Sequence, residues 1–149
     1  MNDDEARVGA TLENAIAEHR ARRWAVAEPL LRRVIENPST GADDRHAARN
    51  ILGNLLERTR RPQEAAEVYE ANLAEGFSGS YPYERLAATY RRQRRAADEL
   101  RVLRQAVAVV ERELARGRRA VVPQLERLQA LLADALARHG LSAPDEPRG

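Results

Sequence analysis

The chain contains no cysteine, which removes disulfides, thiolate metal ligands and a cysteine nucleophile at once. It contains no lysine either, since every one of its 25 basic residues is arginine. A lysine Schiff base and the phosphate-binding G-x-x-x-x-G-K-[ST] loop are therefore excluded. Aromatic residues are scarce, at one Trp, four Tyr and one Phe. That scarcity argues against a β-sandwich, whose strands favour aromatic and β-branched side chains. No apolar run approaches the length of a membrane-spanning helix, so no membrane partner is expected. The three histidines, His19, His46 and His139, stand apart without ligand spacing, so no metal or other cofactor is expected. Gly76-Phe77-Ser78-Gly79-Ser80 only approximates a G-x-S-x-G elbow, and it joins two helical segments instead of a strand and a helix. No catalytic constellation is present, and the chain does not read as an enzyme.

What remains is a 149-residue chain rich in good helix formers, with 23 acids almost balancing the arginines. Its length suits one domain with a sizeable core. The charge is uneven: residues 80–120 hold 11 Arg and five acids, while the rest is net acidic. The acidic start, Met-Asn-Asp-Asp-Glu, differs from a basic signal peptide, and a cytoplasmic location is expected.

The clearest internal repeat is R-x-R-R. It occurs at Arg20-Ala21-Arg22-Arg23, Arg58-Thr59-Arg60-Arg61 and Arg92-Gln93-Arg94-Arg95, spaced by 38 and 34 residues. Each copy separates two apolar segments of helical period. Leu52, Leu55 and Leu56 precede the second copy, and Ala65, Tyr69 and Leu73 follow it. Leu100, Leu103, Val107, Val110 and Leu114 follow the third, alternating steps of three and four. Pro62 suits a first helical turn, and Ser80 before Tyr81-Pro82 suits an N-cap. Helix pairs repeated every ~34 residues predict an all-α, right-handed helix–turn–helix solenoid.

The segments place repeats at 8–41, 46–79 and 80–113, giving six helices. A seventh, capping helix is expected over 121–139, with Leu125, Leu128, Leu132 and Leu136 on its apolar face. Together they make one domain over 1–141, followed by a Pro-rich, charged tail over 142–149 that is expected to be disordered. A fourth R-x-R-R, at Arg116-Gly117-Arg118-Arg119, falls in the turn before the cap. The middle segments resemble the tetratricopeptide repeat. Leu52-Gly53, Ala65 and Tyr69 match its small and aromatic positions, as do Leu86-Ala87, Tyr90 and Leu103, and Ala15, Trp24, Ala27 and Leu31. Glu99 departs from the pattern, standing where a small residue is usual.

The resemblance implies a non-catalytic scaffold that holds a segment of another protein, such as an acidic stretch or a C-terminal peptide, in a concave groove. Exposed positions of the first helices would line it: His19; Asn50, Asn54, Glu57 and Arg58; and Glu84, Arg85, Arg91 and Arg92. Asparagine offers a peptide both donor and acceptor, and arginine a bidentate fork for carboxylate. A second reading gives the repeated turns a basic edge of Arg20, Arg22, Arg23, Arg60, Arg61, Arg94 and Arg95, suited to nucleic acid. Against it stands a plain structural role, because cations complement the C-terminal dipole of a helix. A third reading, from the leucines of the last helix, is a self-assembling homo-oligomeric subunit. Tyr69, Tyr90 and Trp24 are expected in the core, and Tyr81 and Tyr83 partly exposed.

Overall fold

In a computed structural model the chain is all-α, and residues 2–141 are described. The expected tail, 142–149, lies outside the described residues. Seven helices follow one another: α1 (Asp3–Arg20), α2 (Trp24–Glu36), α3 (Ala42–Arg58), α4 (Pro62–Ala74), α5 (Tyr81–Arg92), α6 (Ala96–Ala115) and α7 (Val122–Arg138). A single 3-10 turn, Arg119–Val121, leads into α7. No described helix is long and apolar enough to cross a membrane.

The chain divides into two compact units between Glu75 and Gly76, at the start of the 76–80 link between α4 and α5. The first unit holds α1–α4 and the second α5–α7. Within each, helices pack mainly on their chain neighbours, as in a helical solenoid. In the first unit α3 also meets α1, so the α1–α2 and α3–α4 pairs stack.

Small residues let these pairs close. Ala15, Ala27, Ala48 and Ala65 are buried, and Gly53 faces the ring of Tyr69, where a Cβ would overlap it. Leu31, Leu52, Leu55 and Leu56 fill the space around them. In the second unit Leu86, Val102, Leu103 and Val110 form the core, and α7 covers it with Leu125, Leu128, Ala135 and Leu136. The seventh helix thus begins one residue later and ends one earlier than the sequence reading, on the apolar face it named.

Other expectations shift. Helix α1 starts at Asp3 and α3 at Ala42, ahead of the repeat boundaries at 8 and 46. Asp43 and Asp44 sit inside the first turn of α3, where carboxylates favour the dipole, and Gly41 is the N-cap. Ser80 holds the N-cap position of α5 without a side-chain capping bond. Tyr69 and Tyr90 are buried and Trp24 half-buried, but Tyr83 is buried as well, while Tyr81 is exposed. The Tyr83 hydroxyl donates to the Phe77 carbonyl at 2.8 Å, which satisfies it inside the core; its burial pushes its pKa up.

Five helices end alike, and Gly76 after α4 is left-handed too, at φ 73°. After α1, α3, α5, α6 and α7 the chain enters a left-handed residue: Arg22, Arg60, Arg94, Gly117 and Gly140, at φ 59°, 61°, 56°, 87° and 68°. The next residue's N–H reaches back to close the last turn, as in Arg23 to Glu18 O (2.9 Å), Arg61 to Leu56 O (2.8 Å) and Arg95 to Tyr90 O (2.9 Å). This is the Schellman arrangement, which glycine normally serves because it has no Cβ to clash. Three of the five use arginine.

Candidate functional site

The R-x-R-R turns resolve into three different tasks. The last arginine of each copy is spent on structure. Arg23 pairs with Glu18. Arg61 donates to Glu64 at 2.6 Å and to Glu28 of the preceding helix pair. Arg95 pairs with Asp98 at 2.8 Å and lies 4.5 Å above the Tyr90 ring. The Arg61 guanidinium holds the Glu28 and Glu64 carboxyls below the usual range, and Glu64 and Glu28 in turn raise Arg61.

In the first three copies the middle arginine is the left-handed residue. Arg22, Arg60 and Arg94 are exposed, and their side chains make no hydrogen bond or ion pair to described residues. The first arginine lies in or at the last helical turn. Arg58 donates to Asn54 Oδ1 (3.0 Å) and Arg92 to the Thr89 hydroxyl (3.3 Å), whereas Arg20 is exposed.

The groove candidates separate in the same way. In the first unit the Asn54 amide oxygen, besides taking Arg58, lies 3.0 Å from His19 Nε2, tying α3 to α1. The His19 ring meets Trp24 edge-on at 5.3 Å. Asn50 accepts from Asn72 Nδ2 (2.9 Å), and Glu57 accepts from the Tyr69 hydroxyl (2.9 Å). Asn50 and Glu57 therefore join α3 to α4. Asn72 is fully buried and also donates to the His46 carbonyl. Sequence reasoning passed over it, although an Asn between apolar Ala71 and Leu73 is the available signal.

In the second unit the candidates converge. Glu84, Ala88, Arg91 and Arg92 line a cleft of about 320 Å³ with Leu103, Leu131 and Asp134. Helices α5 and α7 form its walls. The floor is apolar and tight: Ala87 and Leu103 are buried, and Leu131 is 39% exposed on the rim. Glu84 reaches Arg127 of α7 at 2.8 Å, and Asp134 is held by Arg138 at 3.1 Å. Both acids of the cleft are thus ion-paired, Asp134 through an arginine it shares with Glu99, while Arg91 remains exposed and without an ion pair among the described residues. Arg85 sits half-buried on α5.

Glu99, the departure from the repeat pattern, seats α7. Its side chain is about 2% exposed, and it binds Arg138 Nη2 at 2.6 Å, with His139 Nε2 3.7 Å away. Glu99 raises the Arg138 guanidinium above its ordinary value. A second cluster missed by sequence reasoning closes α3 on α4: Glu75 takes Arg45 (3.0 Å), His46 (2.8 Å) and Arg49 (3.0 Å). With Arg45 the main cause, its carboxyl falls to about 2. Among the described residues no cluster of three His, Asp or Glu gathers to hold a metal ion.

No family model matches the chain, and neither a curated protein nor a solved structure does.

Proposed function

We propose that the chain is a non-catalytic protein-interaction module of tetratricopeptide type. Its second unit takes an extended, acidic segment of a partner between α5 and α7. The cleft is the observation that supports this reading. It pairs an apolar floor of Ala87, Ala88 and Leu103 with Arg91 and Arg92 at its edge, while its own acids are already ion-paired. An apolar side chain on the floor and a carboxylate on the arginine fork would recognise a short segment. Alanines at positions 87 and 88 leave room for the incoming chain.

Selection from a displayed library of random decapeptides against the whole protein tests the proposal. Peptides with an acid beside an aliphatic residue are expected to be enriched. They should fail on an Arg91→Glu/Arg92→Glu variant and on Ala88→Trp, which fills the cleft. Equal recovery on wild type and both variants would defeat the reading.

A further inference from the structure

We infer that the left-handed arginines of the first unit, Arg22 and Arg60, form an anion-docking edge for the phosphate backbone of nucleic acid, independent of the peptide cleft of the second unit. The argument starts from where these residues stand. Arg22, Arg60 and Arg94 occupy the same Schellman position that Gly117 and Gly140 occupy after α6 and α7. All five turns make the same backbone bonds, so the fold is served equally well, and with less strain, by glycine. The arginine side chains supply nothing local, for they are exposed and unpaired among the described residues. Each lies beyond the last helical residue, and the carbonyls there are already satisfied by backbone N–H groups. Dipole complementation therefore falls to the arginines inside the last turn, Arg20, Arg58 and Arg92, and not to these three.

The first unit places two such turns on neighbouring, stacked helix pairs, which sets Arg20, Arg22, Arg58 and Arg60 at one end of it. In the second unit the turn after α5 repeats the left-handed arginine as Arg94. A protein partner would need apolar area at the core of its interface. The residues between these arginines are Ala21, Thr59 and Gln93, which offer little. A phosphate backbone needs cations alone. The nearby rings are committed elsewhere: Trp24 to His19, Tyr69 to Glu57 and Tyr90 beneath Arg95. With no ring presented for base stacking at the turns, recognition is of backbone charge and does not depend on sequence.

The test is fluorescence anisotropy of a labelled random-sequence 20-mer, single- and double-stranded, over a salt series. Wild type is compared with Arg22→Gly/Arg60→Gly, with Arg22→Asn/Arg60→Asn and with Arg94→Gly. Asparagine tolerates the left-handed region, so it removes charge without making the turn a glycine. Wild type is expected to bind both strands' forms with an affinity that falls steeply with salt. Either double variant should bind at least tenfold more weakly at low salt, with the log–log salt slope shallower by about 2. The Gly variant should at the same time unfold at a higher temperature. Failure of wild type to bind at low salt, or unchanged binding by both double variants, overturns the inference. So does poly-glutamate competing as well as an oligonucleotide of equal charge, which would make the edge a carboxylate site.

Discussion

Arg22, Arg60 and Arg94 hold positive φ, a conformation that costs a non-glycine residue about 1–2 kcal/mol. The sequence shows R-x-R-R clearly but not that its third residue is left-handed, because arginine is a poor marker of that conformation. In the fourth copy, shifted by one residue, Gly117 takes that place after α6, and there the signal is visible. The triple variant Arg22→Gly/Arg60→Gly/Arg94→Gly is expected to raise the urea midpoint, by about 0.5–1 kcal/mol per site after the entropy of glycine is subtracted. Gly53 behaves in the opposite sense. A Cβ there meets the Tyr69 ring, whose hydroxyl is anchored on Glu57. Overpacking costs ~1–3 kcal/mol, and better helix propensity returns ~1. Gly53→Ala should therefore destabilise by up to about 2 kcal/mol in equilibrium unfolding. This position was legible in advance from the Leu-Gly pair.

At the scale of the helices, periodicity located every element, since alternating steps of three and four survive any choice of polar residues between them. The ion pairs between elements were not legible, because Glu99–Arg138 spans 39 residues and Glu75 meets residues 29 and 30 positions away. Arg138→Ala leaves Glu99 buried without its guanidinium. A fully buried pair broken in this way costs ~3–5 kcal/mol; partial exposure of Arg138 reduces that to about 2–3 kcal/mol. Hydrogen exchange in that variant should quicken in α7 before α5 and α6. A Glu99→Met/Arg138→Met double variant should recover most of the loss, because no buried charge remains. The Glu75 cluster gives a pH signature. Its carboxyl lies at about 2 in the fold against 4.5 ordinarily. The folded pKa is depressed, so the stabilisation is complete above pH 4.5 and is lost as pH falls towards 2. The stability gap between wild type and Glu75→Gln should be constant from pH 5 to 7 and shrink below 4.5.

For the whole molecule, the chain reads as one domain in sequence and folds as two compact units, each with its own buried core. The link 76–80, with two Gly and two Ser, and the rise in arginine after it lie at that boundary. The candidate groove was half legible. Helical spacing found Glu84, Arg91 and Arg92, which the cleft does bring together, while Asn50 and Glu57 proved to be occupied in joining α3 to α4. Spacing alone assigns a residue to a face and leaves open which neighbour that face meets. The two surfaces proposed above differ in chemistry: an apolar cleft with arginine at its edge, and turns that display arginine alone.

Backbone amide chemical shifts of the full chain, titrated separately with an acidic, leucine-containing octapeptide and with a 20-mer oligonucleotide, test that division most directly. The peptide should move Ala87, Ala88 and Leu131, and the oligonucleotide should move Arg22, Arg60 and their neighbours. Both probes shifting one common set of residues, or neither shifting any, would contradict it.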